Sequence, residues 1–138
     1  MSWQIWALGS AIFAALTAIT AKVGVKDVDS NLATAIRVVV IGVFAWGITY
    51  ATGAIPSIKN IPNRSWWFLL FSGIATGASW LCYFRALQLG PASKVAPIDK
   101  MSVVFAVLGA AILLGEPMNV RMVAGLVLLG IGIWLLAT

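Results

Sequence analysis

Ionisable side chains interrupt otherwise apolar stretches of the sequence at Arg37, Arg85, Asp99 and Lys100. A charged group inside a membrane span is costly unless it faces protein or water, so such a residue marks a functional site by default. Asp99 and Lys100 are adjacent within ASKVAPIDKMSVVFAVLGAAILLGE, the stretch from Ala92 to Glu116. We therefore take these residues as the candidates for substrate binding or gating.

The composition predicts that these residues lie in a membrane. The 138 residues are 62% hydrophobic and 9% charged, with a mean hydropathy of +1.02. Soluble domains carry about a quarter charged residues. We predict a single all-α domain over residues 1–138, an integral membrane bundle with room for about five spans of about 20 residues each.

Polar and proline-containing segments divide the chain into the predicted transmembrane helices. The spans cover residues 3–23, 31–52, 65–89, 92–115 and 120–138. An odd number of spans places the termini on opposite membrane faces, which we call face A (N-terminal) and face B. Pro97, early in span four, removes a backbone hydrogen bond, so we expect an irregular or kinked backbone beside Asp99.

The embedded charges share one predicted depth. At 1.5 Å per residue, Arg37, Arg85, Asp99 and Lys100 lie roughly 7 to 12 Å from face B, in one layer. One interpretation is that the long cationic side chains only extend to the interface. Asp99 is too short to do so and is expected to pair with Arg85 or Lys100, facing the bundle interior, either as a structural clasp or as a gate and substrate contact.

Other classes of function lack the residues that they require. Nine Lys and Arg against four acids give a net charge of +5 but no basic run, so we expect no nucleic-acid partner. Histidine is absent and Cys82 is the one cysteine, so neither a metal nor a cofactor is expected. No nucleophile–base pair indicates an enzyme. Thr17 is a candidate for lining a polar cavity, whereas mid-span Trp80 is expected to be a packing residue.

Several segments together resemble the EamA domain of the drug and metabolite transporter superfamily. They are ATAIR at 33–37, YFRALQLGPAS at 83–93 and LLGEPMNVRMVAGLVLLGIGIWLL at 113–136. The resemblance covers essentially the whole chain. It implies a secondary transporter that moves a small metabolite across the lipid bilayer by alternating access. It also implies that the protein lies in the bacterial inner membrane.

Members of that family usually combine two such domains in inverted orientation. A single domain therefore implies a partner, most simply a second, antiparallel copy, with a substrate site at the repeat interface. Gly125, Gly130 and Gly132 in span five form a small-residue surface that suits the dimer contact. Three embedded cations against one acid favour an anionic or zwitterionic cargo.

Two departures limit what the resemblance transfers. The family's mid-span proline falls at Val103, whereas this chain has Pro97. Related small multidrug exporters use a glutamate in span one, and residues 3–23 contain no acid, so that mechanism is not expected. A non-transporting accessory subunit and a lipid-carrier flippase remain the alternatives.

The loop charges permit insertion in both orientations. Outside the apolar stretches, Lys and Arg are evenly divided between face A (Lys59, Arg64, Arg121) and face B (Lys22, Lys26, Lys94). Counting the embedded cations as well would favour face B as cytoplasmic under the positive-inside rule.

A topology reporter fused to Thr138 tests this balance. We expect active reporter on both sides of the membrane, because neither face has an excess of loop cations. A single orientation would refute the dual-topology homodimer.

Overall fold

The computed structural model describes residues 2–138, which fold into helices without any strand. The helices are α1 (Trp3–Gly24), α2 (Ser30–Ala51), α3 (Asn63–Leu89), α4 (Ala92–Asp99), α5 (Met101–Leu113) and α6 (Val120–Ala137). A short 3-10 helix, Ile55–Asn60, precedes α3. The all-α prediction is confirmed.

The described residues contain 5 helical stretches long and apolar enough to cross a membrane. The chain is thus a multi-pass membrane protein. The predicted bounds differ from these stretches by no more than a few residues. The segment between spans two and three was expected to be loop; it contains the 3-10 helix because Pro56 fixes a helical φ in its first turn.

The fourth span, Ala92–Leu113, is not one continuous helix. Pro97 has no N–H to donate to the carbonyl of Ser93, and α4 ends at Asp99. Lys100 is the C-cap of α4 and the N-cap of α5. The Lys100 N–H bonds the Pro97 carbonyl and the Lys100 carbonyl accepts from Val103 N–H, both at 3.0 Å, as in a 3-10 turn. The predicted irregularity is present, centred on Lys100.

The chain divides into two compact units, which we describe separately. One contains the segment up to Lys22 together with Leu89–Thr138. In it, α4 packs against both α5 and α6. Lysine side chains bond main-chain carbonyls near helix ends here: Lys22 Nζ donates to Gly90 O and Lys94 Nζ to Thr138 O, each at 2.8 Å. These bonds join segments that the sequence assigned to face B.

The other unit is Val23–Gln88, with α2 and most of α3. Its most buried side chains are those of Val25, Phe84 and Leu87, at 1%, 1% and 0% exposure. They lie where loop one (residues 25–29) meets the C-terminal part of α3. That residues 1–138 form a single domain stays a prediction.

Sequence-encoded signals set the helix ends. Asp29 Oδ1 accepts from Asn31 N–H at 2.9 Å and Leu32 N–H at 3.1 Å, capping α2. At the other end, Gly53 has a φ of +69° and Ala54 N–H bonds the Thr49 carbonyl at 3.1 Å, which closes the helix in a Schellman motif.

The cap of α2 is testable with two aspartates in one loop. Asp29→Ala should lower the free energy of unfolding by about 1 kcal/mol, because two main-chain N–H groups lose their acceptor. Asp27→Ala removes the same charge from an exposed side chain without a capping role and should have little effect. Thermal unfolding in detergent measures both; equal losses would show that loop charge, not capping, matters.

Candidate functional site

Asp99 and Lys100 form an ion pair at the break in the fourth span. Lys100 Nζ lies 3.4 Å from Asp99 Oδ2, which confirms one of the two pairings expected for Asp99. The side chains of Lys100 and Asp99 are 53% and 36% exposed. Residues 2–138 alone therefore do not enclose the pair. Because Lys100 is also the residue between two helical segments, the charge pair and the break in the helix coincide.

Arg37 crosses from α2 onto an aromatic surface of α3. Its guanidinium carbon lies 4.7 Å from the centroid of the Phe84 ring and 5.5 Å from that of Trp80. Trp80 and Phe84 occupy i and i+4 positions, so their rings lie on the same side of α3. A cation over such faces gains about 0.5 to 2 kcal/mol. Trp80, expected to be a packing residue, is thus also a partner of the cation.

Arg85 is tied to a neighbouring amide on the same helix. Its Nη1 donates to Gln88 Oε1 at 3.0 Å. The Gln88 Nε2 in turn donates to the main-chain carbonyls of Val28 at 2.6 Å and Val25 at 3.3 Å. Gln88 therefore joins the end of α3 to loop one, and Arg85 orients the amide that makes this connection.

The four predicted charges divide between the two units. Arg37 and Arg85 belong to one unit, where both use the C-terminal part of α3, and Asp99 and Lys100 belong to the other. Each lies roughly 6 to 12 Å from the nearer end of its own span, as expected. Their alignment in one layer stays a prediction.

The remaining candidates have simpler surroundings. Thr17 is half-buried on α1, and its carbonyl accepts from the Thr20 hydroxyl at 3.3 Å. On α6, a Cβ added to Gly125, Gly130 or Gly132 would meet no atom within 4 Å among the described residues. Gly125 and Gly132 lie on the same side of α6, whereas Gly130 lies about 140° around the helix from Gly125.

Sequence reasoning missed the residues that contact the two arginines. Gln88 could have been found, because Arg85 and Gln88 stand at i and i+3 positions on a helix. The aromatic surface under Arg37 could not, because it depends on how α2 and α3 pack. Phe84 gave no signal of its own among the many apolar residues of span three.

Charged residues inside the spans of a multi-pass membrane protein commonly mark substrate or ion pathways, which is the construction of membrane transport proteins. A family model described as the EamA-like transporter family matches residues 1–138. The chain therefore belongs to that family, as its sequence resemblance predicted. Membership points to transport of a small molecule across the bilayer, not to catalysis.

Two curated relatives agree with this assignment. The chain is 52% identical over 136 residues to a Sinorhizobium sp. protein named an uncharacterized transporter in the cobO 3′ region, covering 99% of this chain and 96% of the relative. It is 29% identical over 132 residues to the Bacillus subtilis (strain 168) uncharacterized transporter YvbV, covering 96% of this chain but 43% of that relative. No solved structure matches the chain.

The Gln88 connection generates a stability prediction. Gln88→Ala should lower the free energy of unfolding by about 1 to 3 kcal/mol, because the loop-one carbonyls lose their donor. Hydrogen exchange of residues 25–29 should also accelerate. Arg85→Ala should produce a smaller change in the same direction, since the amide remains but is less well oriented.

Gln4→Ala, at an exposed glutamine of α1, serves as the matched control and should leave loop-one exchange unchanged. Normal exchange in the Gln88 variant would mean that the loop is held by other contacts.

Proposed function

We propose that this chain is a subunit of a secondary transporter that moves a small metabolite by alternating access, working as an antiparallel homodimer. The family assignment supports the transport role. The match to less than half of YvbV supports the idea that a second repeat completes a transporter of this family. In inverted-repeat transporters the substrate site lies near the membrane midplane, between the repeats.

The break in the fourth span at Asp99 and Lys100 is the observation that carries this proposal. Interrupted helices with charged groups inside the membrane are the common construction of substrate and ion sites in secondary transporters. Irregular backbone at that depth is tolerated only where protein or a water-filled cavity covers it. A half-exposed ion pair at the break is therefore suited to line a cavity that a second copy completes.

The side of α6 that carries Gly125 and Gly132 supplies a contact for that second copy, because small residues allow another helix backbone to approach closely. Even loop charges on the two faces permit the opposite insertion that an antiparallel pair needs. The bacterial relatives support the inner membrane as the location.

The cargo in this proposal is anionic or zwitterionic, such as an organic acid or an amino acid. The embedded cations outnumber the embedded acid, and a cation inside hydrocarbon favours a neutralising partner. In an antiparallel dimer each copy contributes its own charges, so both openings of the cavity present the same electrostatic environment.

Counterflow in proteoliposomes tests transport with the ion pair as the variable. Lys100→Met should abolish uptake of an organic-acid and amino-acid panel, because it leaves the Asp99 carboxylate unpaired beside the helix break. Lys26→Met, at an exposed loop lysine, is the control and should transport normally.

The double variant Asp99→Asn/Lys100→Met separates a clasp from a gate. Recovery of uptake would assign the pair a structural role, since neutral side chains then suffice. Continued loss with normal folding is the result expected of a gate. If the unmodified chain shows counterflow with no member of the panel, the transporter proposal is refuted and an accessory subunit is favoured.

Disulfide trapping tests the antiparallel dimer. In a Cys82→Ala background, cysteine in place of Leu128, near the middle of α6 and on the side of Gly125 and Gly132, should cross-link two copies, because an antiparallel contact brings mid-helix positions together. Cysteine in place of Leu136, on the same side at the end of α6, should not cross-link to itself. Trapping at Leu136 as well as at Leu128 would indicate parallel copies.

A further inference from the structure

The Arg37 guanidinium is held at a defined depth by the side of α3. Its contacts are the faces of Phe84, which is 1% exposed, and Trp80, which is half-buried. Along α3, these rings lie roughly 7 and 13 Å from the face-B end of the helix at Leu89. The side chain therefore extends sideways between helices at this depth. Extension to the interface, one of the two interpretations open from the sequence, does not describe Arg37.

The hydrogen-bonding edge of the guanidinium is unused within residues 2–138. A guanidinium has five N–H donors in a planar fork. Aromatic faces attract its charge but accept little hydrogen bonding. The Tyr83 side chain also interacts with Arg37 electrostatically, but no hydrogen bond joins the guanidinium to another described residue. Arg85 differs, because its Nη1 is bonded to Gln88. Arg37 is thus positioned by its rings while its donors remain available.

From this geometry we propose that Arg37, backed by Trp80 and Phe84, is the binding site for the carboxylate group of the cargo. The inference deepens the proposed function and rests on it. A carboxylate matches the guanidinium fork with two parallel hydrogen bonds. The ring edges beside it provide an apolar surface for the rest of the molecule.

The charge of the site favours a carboxylate over a phosphate group. Arg37 contributes one positive charge at the Trp80 and Phe84 rings. Arg85 also keeps its charge, but its guanidinium is bonded to Gln88 and does not lie over these rings. A monoanion is neutralised by a single guanidinium, whereas a phosphate dianion would retain a negative charge inside the membrane. A lipid phosphodiester is also a monoanion, but headgroups lie at the interface, above the depth of these rings.

Ligand binding to the full chain in phosphatidylcholine nanodiscs tests the site with benzoate as the probe. Calorimetric titration should show saturable binding of benzoate at neutral pH, and no saturable binding of benzyl alcohol, the uncharged analogue. Arg37→Gln should weaken benzoate binding at least tenfold. Arg37→Lys should weaken it several-fold, because lysine retains the charge but loses the bidentate geometry.

Arg64→Gln is the matched control. Arg64 also lies over a phenylalanine of α3, with its guanidinium carbon 5.7 Å from the Phe68 centroid, but near the opposite end of the helix. The Arg64→Gln variant should bind benzoate like the unmodified chain. If Arg37→Gln does not fold, as judged by thermal unfolding, Arg37→Lys alone decides, and unchanged binding in it would overturn the bidentate site.

Other outcomes overturn the proposal directly. These are absence of saturable benzoate binding, equal binding in Arg37→Gln, tighter binding of inorganic phosphate than of benzoate, or displacement of benzoate by phosphatidylglycerol. Binding that depends on Arg37 in a chain without counterflow would support this site and refute transport. Counterflow that survives in Arg37→Gln would support transport and refute this site.

Discussion

A cation inside hydrocarbon must be given a partner by the protein, and this requirement organises the structure around its embedded charges. The chain meets it in three different ways. Lys100 receives a carboxylate, Arg85 receives an amide oxygen and Arg37 receives two aromatic faces. These partners differ in how much of the positive charge they neutralise and in whether they use the hydrogen-bond donors of the cation. Lys100 is electrically neutralised, Arg85 has a donor committed to its own helix, and Arg37 keeps both its charge and its hydrogen-bonding edge.

The same requirement applies to the backbone where helices end or break. Terminal carbonyls lack intrahelical donors, and side chains near the ends supply them. Lys22 and Lys94 do so in one unit, and Gln88 supplies a donor to the loop-one carbonyls of Val25 and Val28 in the other. At Lys100 the chain compensates with 3-10 bonds but still loses the donor that Pro97 would have supplied. These carbonyls are thus bonded by side chains, whereas the Ser93 carbonyl has no N–H of Pro97 to accept from.

The sequence predicted the spans well because hydropathy and length determine them almost alone. It also predicted the irregular backbone, since the missing N–H of Pro97 is a local property. The 3-10 helix at Ile55–Asn60 was missed, because two prolines signal a loop as readily as a tight helix. The position of a charged residue along its helix was predictable from residue number. The direction in which its side chain leaves the helix was not. The charges were therefore found, but not the aromatic surface that receives Arg37.

The contacts of the embedded charged residues also determine which of their charges remain unneutralised. From the sequence, three embedded cations and one acid contribute to a single positive layer. In the structure, Asp99 and Lys100 cancel within their own unit, so the unneutralised charge lies on α2 and α3 at Arg37 and Arg85. In the proposed function, an anionic cargo is therefore attracted to Arg37 and Arg85 rather than to the ion pair at the break. The proposal then places recognition of the cargo on α2 and α3, whereas the break in the backbone lies between α4 and α5.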